Sequence, residues 1–209
     1  MREESISKQT IRRLPLYLEY LNTLTDDGRA TISANAIAMA LDMGEVKVRK
    51  DLAAVSTAGR PKVGYLLSDL KRDLRQYLGC EEQNLAVLAG VGRLGSALIC
   101  DEGFRGYGLT IAAAFDHEET RIGSTVGGVP VLDVKEMERF CRENGVRVGI
   151  LTVPVQQAQA CLDAMVAGGV KAVWSFVPTN LNAPQEVLVQ QENMNGTLAI
   201  LTQHIKRGA

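Results

Sequence analysis

Apolar positions follow two different rhythms along this chain, and the change falls near residue 80. In the first part they recur at three and four. Ile11, Leu14, Leu18 and Leu21 share one face of a stretch running from Ser7 to Leu24, which predicts a helix that Pro15 should break or kink near Arg13. After a loop at 25–29, residues 32–41 predict a short apolar helix capped by Ser33. Asp42-Met-Gly44 is a turn, and in residues 45–55 Val48, Leu52 and Val55 face inward while Lys47, Arg49 and Lys50 project outward. Helix, glycine-containing turn and basic helix predict a helix-turn-helix. Ala58 to Tyr65 has turn chemistry with Arg60, Lys62 and Tyr65, as suits a small wing lying against a phosphate backbone, and Ser68 is placed to cap a further helix ending at Gly79.

Beyond residue 80 the apolar residues come in continuous runs: 85–89, 109–115, 147–153 and 170–177, with a short edge piece at 129–131. Helical patterns separate them at 134–143 and 156–167. Strands alternating with helices predict a mostly parallel sheet. In the tail, Met194, Leu198, Leu201 and Ile205 form a helical stripe with few charges, which needs something to pack against, such as a second chain. The expected fold class is therefore α/β: a winged-helix domain at 1–80, a Rossmann-type parallel-sheet domain at 81–191 and a C-terminal dimerisation helix at 192–209.

The chemistry concentrates where the first apolar run ends. Gly90, Gly92 and Gly95 have the G-x-G-x-x-G spacing that allows a tight turn, close approach of backbone to a pyrophosphate, and packing of helix on strand. The phosphates would sit on free N–H groups at the helix start. The second apolar run ends in Asp116, where a ribose-binding carboxylate belongs, and the nearest arginine, Arg121, lies beyond Glu118 and Glu119. A carboxylate there favours the free 2′-hydroxyl of NAD over the 2′-phosphate of NADP. Coenzyme A or another nucleotide remains open as the ligand.

Charge sharpens the division. Residues 1–80 carry 13 Lys+Arg against 10 Asp+Glu and the remainder 10 against 14, so a net −1 hides +3 followed by −4. A modestly basic first part hints at an anionic partner. The four cysteines, Cys80, Cys100, Cys141 and Cys161, lack metal-site spacing and predict reduced thiols in a soluble cytoplasmic protein. No membrane segment is expected.

Taken in order, Arg13-Leu-Pro-Leu-Tyr17, Val48-Arg-Lys-Asp-Leu52, Val63-Gly-Tyr65, Gly90 to Gly95, Ala114-Phe-Asp116, Gly127-Gly-Val-Pro-Val131, Leu151-Thr-Val-Pro154, Ala158-Gln159 and Gly169-Val-Lys171 resemble the Rex family of redox-sensing transcriptional repressors. The resemblance spans nearly the whole chain. It implies a winged helix on a Rossmann domain, a homodimer that exchanges C-terminal helices, and release from operator DNA when NADH rises. On that basis Arg49 and Lys50 would meet base edges or phosphates, with Lys47, Arg60, Lys62 and Tyr65 as backbone or minor-groove contacts. Gly90, Val91, Gly92, Arg93, Leu94 and Gly95 would hold the pyrophosphate and Asp116 the ribose. Val153, Pro154 and Phe176 would surround the nicotinamide, because an apolar pocket tolerates the neutral reduced ring better than the cationic oxidised one.

The departures from the family pattern bear on function. Ala53-Ala-Val-Ser56, Pro61-Lys62 and Ser175-Phe-Val-Pro178 stand where members usually have Ser-Tyr-Phe-Gly, Arg-Gly and Asn-Phe-Ala-Pro. Glu19, Asp101 and Asn193 occupy positions where members usually carry an Arg, a Tyr and an Asp that couple ligand to DNA. NADH is therefore expected to release this chain less strongly. Two other functions compete: a coenzyme A- or nucleotide-binding regulatory module with a helix-turn-helix, and an NAD-dependent oxidoreductase. Against the enzyme, only His117 and His204 are present, no tyrosine follows Tyr107, and no substrate domain remains.

Overall fold

The computed structural model describes residues 6–25 and 30–207, so most of the loop expected at 25–29 lies outside the described residues. The chain divides into two compact units, Met1–Glu82 and Gln83–Ala209.

The first unit is built on α1 (Lys8–Asn22), which runs through Pro15 without ending there. Proline removes one helical hydrogen bond, but Leu14, Tyr17, Leu18 and Leu21 lie on both sides of it and are all buried. That shared apolar face keeps the two halves in one helix, whereas Ile11 stays 41% exposed. Next come β1 (Thr31–Ile32), α2 (Ala34–Ala40), α3 (Glu45–Val55), β2 (Tyr65–Leu66) and α4 (Leu67–Tyr77). Ser33 caps α2 as expected, its hydroxyl accepting from Ala36 N at 3.0 Å. Ser68 caps nothing. Leu66 pairs with Thr31, and Leu67 N donates to Ala30 O at 2.8 Å, so strand passes directly into helix with Leu67 buried and Ser68 already in the first turn. Gly79 ends α4 in the left-handed conformation, φ 70°, with Cys80 N donating to Arg75 O at 2.9 Å.

The second unit contains β3 (Asn84–Ala89), α5 (Arg93–Ile99), α6 (Gly103–Gly106), β4 (Leu109–Asp116), β5 (Thr125–Val126), β6 (Val129–Asp133), α7 (Met137–Asn144), β7 (Val148–Leu151), α8 (Val155–Ala167), β8 (Ala172–Ser175), β9 (Leu188–Gln191) and α9 (Met194–Lys206). Its seven strands run in the order β5-β6-β4-β3-β7-β8-β9. All pairings are parallel except the β5–β6 hairpin at one edge. Residues 129–131 are therefore an inner strand, because the Gly127-Gly128 turn folds β5 outside them. Strand β9, mixed Leu-Val-Gln-Gln, carries no apolar run that could have announced it.

One sheet face packs on α7 and α8 through Phe115, Met137, Cys141, Leu162 and Met165. The other packs Leu88, Ala114 and Ile150 against Ile99 of α5. Helix α9 has no buried residue; Met194, Leu198, Ile200, Leu201 and Ile205 are 55–77% exposed.

Candidate nucleotide cleft and nucleic-acid interface

The order in which strands are added to the sheet reverses at β3: β4 lies on one side and β7 on the other, all three running parallel. A crevice opens at such a switch point, beyond the carboxyl ends of the strands, and the glycine turn stands in it. The three glycines differ in what surrounds them. Gly90 has φ 96°, and a Cβ there would lie 2.8 Å from the Thr152 carbonyl. A Cβ on Gly95 would meet Gly90 O at 2.0 Å, so helix and turn can touch only without one. A Cβ on Gly92, the cap of α5, would meet nothing within 4 Å. No protein contact demands that glycine, and the backbone there is open to the cleft. Thr152 buttresses the turn, its hydroxyl 2.7 Å from Gly90 O and 3.0 Å from Ala89 O. Arg93 and Leu94 are exposed and Val91 is buried.

A cleft of about 710 Å³ extends from Gly90 and Gly92 past Asp116, His117 and Arg121 to Lys135 and the Ala160 face of α8. Asp116 is only 4% exposed, and its acceptor directions are taken. Oδ2 accepts from Val91 N at 2.8 Å and from Arg121 at 3.0 Å; Oδ1 accepts from His117 N at 2.8 Å and Glu118 N at 3.1 Å. Burial works against the charge, but the hydrogen bonds from Glu118, Val91, Arg121 and His117 outweigh it and hold the carboxyl below its ordinary range. This corrects the view of Asp116 as a free ribose acceptor with Arg121 out of reach. The turn after β4, with Arg121 N bonded to Glu118 O, folds Arg121 back onto the carboxylate. A ribose hydroxyl can reach Oδ2 only in exchange for the Arg121 guanidinium, which is 38% exposed.

The expected apolar surround is not gathered in one place. Val153 and Pro154 line the cleft, but Phe176 does not. It packs beside Trp174, ring centroids 4.6 Å apart, against the cluster on the α5 face of the sheet. Cys161 also lines the cleft, and burial pushes its thiol up to about 11. Among the described residues no group of His, Cys, Asp and Glu could hold a metal ion.

In the first unit, α2 and α3 pack as the helix-turn-helix, and Lys47, Arg49 and Lys50 are all exposed. Arg49 makes only a loose surface pair with Glu45 at 3.5 Å. The wing is a hairpin: Arg60 and Gly64 exchange backbone hydrogen bonds of 2.8 and 2.9 Å, leaving Lys62 exposed near its tip. Tyr65 is not a surface contact. It is 7% exposed, with its ring directly beneath Gly59, where a Cβ would come within 2.8 Å of it. The aromatic residue anchors the base of the wing because its strand pairs with β1 and turns its ring inward.

Sequence reading gave no part to Asp51, although it sits inside Val48-Arg-Lys-Asp-Leu52. It is a 5% exposed carboxylate on α3. Arg13 grips it at both oxygens, Nε to Oδ2 at 2.7 Å and Nη2 to Oδ1 at 2.8 Å. The Tyr17 hydroxyl donates to Oδ2 at 2.7 Å and Thr10 to Oδ1 at 3.1 Å. Burial opposes the charge, but these donors win and the carboxyl lies below its usual range. Burial, then the bond to Asp51, pushes Tyr17 up to about 12. The spacing 10, 13, 17 on one helix face was the available signal. Of the three departures expected to alter coupling, Asp101 Oδ1 accepts from Gly103 N at 2.7 Å in the turn before α6, and Asn193 caps α9 through Gly196 N at 2.8 Å.

Comparison with known proteins places two family models on the chain: a putative DNA-binding protein N-terminus over residues 5–53 and a CoA binding domain over residues 81–179. A redox-sensing transcriptional repressor Rex from Porphyromonas gingivalis is 39% identical over 98% of this chain and 94% of its own length. The solved structure of RSP in complex with β-NAD⁺ and operator DNA matches with TM-score 0.91 at 28% identity, covering 97% of this chain and 93% of that one. RSP in complex with β-NADH matches with TM-score 0.85 at 28% identity, covering 97% and 95%.

Proposed function

The chain belongs to the Rex family of redox-sensing transcriptional repressors, and from that premise we propose that it represses transcription from operator DNA and answers to NADH and NAD⁺ bound in the second unit. The observation that carries this is the conjunction, in one chain, of an exposed basic α3 on a helix-turn-helix with a glycine turn whose middle glycine is open to a ligand.

Arg49 and Lys50 read base edges or phosphates, while Lys47, Arg60 and Lys62 hold the backbone. The turn from Gly90 to Gly95 receives the pyrophosphate on the N–H groups of α5. Asp116 orders that turn through Val91 N and meets the ribose once Arg121 yields. Val153 and Pro154 form part of an apolar wall. A pocket that leaves the cationic oxidised ring without a counter-charge discriminates redox state by solvation cost, without chemistry. No catalytic step is part of this function. The exposed stripe of α9 packs against a second copy, giving a homodimer that reads two half-sites on one face of the duplex. No described helix is long and apolar enough to cross a membrane.

The test is to select a duplex from a random pool with the protein and then measure its affinity for that duplex with NADH, NAD⁺, NADPH or coenzyme A added. Weakening by NADH above the others supports the function. A response to coenzyme A alone points to the regulatory-module alternative, and failure to retain any duplex refutes operator binding.

A further inference from the structure

Asp116 ends β4 with its charge largely covered. Oδ1 accepts from His117 N and Glu118 N, Oδ2 accepts from Val91 N, and the residue is 4% exposed. A ribose entering the cleft therefore meets first the exposed side chains around that carboxylate. These are Arg121, 38% exposed, Glu118, 46% exposed, and His117, 55% exposed, and all three line the cleft. An arginine beside the ribose carboxylate is a common means of accommodating a 2′-phosphate. Taken alone, Arg121 invites the phosphorylated dinucleotide that Asp116 is expected to refuse.

The position of Glu118 removes that conflict. Arg121 spreads its guanidinium over two carboxylates, Nη1 lying 3.0 Å from Asp116 Oδ2 and Nη2 3.2 Å from Glu118 Oε2. The turn holds the pair in register, since Glu118 O accepts from Arg121 N at 2.9 Å. With both outer nitrogens engaged, a 2′-phosphate must displace carboxylates from Arg121 and then sit beside Glu118, a like charge. Glu119, next in the chain and also exposed, does not line the cleft. We propose that Glu118 sets the preference of the cleft for an unphosphorylated adenosine ribose, by keeping Arg121 committed to carboxylates and away from a 2′-phosphate. Glu118 is thus a positioning residue that acts through Arg121. The proposal rests on dinucleotide binding in the second unit and says how that site discriminates.

The experiment measures, by titration calorimetry on the full chain, the affinities for ADP-ribose and for ADP-ribose 2′-phosphate, two probes that differ by the one phosphate. The unmodified chain should prefer ADP-ribose. Glu118→Gln keeps the shape of the side chain and removes its charge. It is expected to raise the relative affinity for the phosphorylated probe about five- to tenfold, combining the release of an exposed ion pair with the loss of a like charge. Glu119→Gln makes the same change in net charge one residue away and should leave the ratio within about twofold. Adding Arg121→Ala to Glu118→Gln should cancel the gain. A ratio unchanged in Glu118→Gln overturns the proposal, and so does an unmodified chain that prefers the phosphorylated probe. An equal gain in Glu119→Gln would overturn it in favour of net charge. A gain that survives the loss of Arg121 would overturn it by placing the phosphate on another cation of the cleft, such as Lys135. If the unmodified chain binds neither probe nor NADH, dinucleotide binding itself fails and the selectivity falls with it.

Discussion

Truncating Asp51 to alanine tests whether the carboxylate on α3 is what holds the DNA-reading helix in place. The change removes the acceptor of four hydrogen bonds. Tyr17 is fully buried, so its hydroxyl loses its partner without access to water; an unsatisfied buried donor costs about 1–3 kcal/mol. Arg13, with 21% of its side chain exposed, can turn partly to solvent, so its loss falls below the roughly 3–5 kcal/mol of a fully buried broken pair. Thr10 keeps Ser7 Oγ at 3.0 Å and loses little. The sum is about 2–4 kcal/mol, out of a total stability of about 5–15 kcal/mol. In urea this lowers the midpoint by about 1–2 M. Far-UV circular dichroism records the helices of both units, α1–α4 in the first and α5–α9 in the second, while the single tryptophan, Trp174, reports on the second alone. The part of the dichroism transition that comes from α1–α4 should move to lower urea and the fluorescence transition should not, and operator affinity should fall with NADH affinity unchanged. A dichroism midpoint that stays within about 0.5 kcal/mol of the unmodified protein would refute the reasoning. The pH dependence has two arms. Asp51 has a depressed folded pKa, so its contribution is complete at neutral pH and is lost as pH drops below about 4. Tyr17, raised to about 12, keeps its proton in the folded state while the unfolded chain ionises near 10, so stability also falls from about pH 10 upward. Asp51→Ala should remove the Asp51 share of the acid arm and only lessen the alkaline arm, because burial is the larger cause of the Tyr17 shift.

Gly95→Ala forces a Cβ to within 2.0 Å of Gly90 O and should cost about 1–3 kcal/mol in unfolding. Gly92→Ala should stay within about 1 kcal/mol yet lose at least tenfold in NADH affinity by calorimetry; equal effects at the two positions would contradict the open site at Gly92. Arg121→Ala frees Asp116 Oδ2 and should tighten NADH binding by up to about fivefold, the value of an exposed ion pair, and weaker binding would mean that Arg121 itself touches the ligand. The double change Glu19→Arg/Asn193→Asp should enlarge the NADH-driven loss of operator affinity, within the usual coupling range of about 1–3 kcal/mol; strong release by NADH in the unmodified protein, unaffected by the change, would place the switch elsewhere.

Local pattern decided much of this protein. The apolar runs ending at Ala89, Asp116, Leu151 and Ser175 are strands because they are buried on both faces, and a parallel sheet so covered must read as continuous apolar sequence. The fingerprint glycines were legible for the same reason: backbone conformation and close approach are demands on single residues at fixed spacing. Strand β9 and the short α6 were not legible, since both are too short and too mixed in polarity to carry a period. Tertiary structure alone decided four matters. It turned Tyr65 inward beneath Gly59, placed Phe176 on the sheet face away from Val153, folded Arg121 onto Asp116, and joined Thr10, Arg13 and Tyr17 to Asp51 across some 34–41 residues of chain. Each is a question of which charges and rings end up as neighbours. Sequence shows that a carboxylate or an aromatic ring is present, but hydrogen bonds and burial depend on distances in space, and these exist only once the helices and strands have packed.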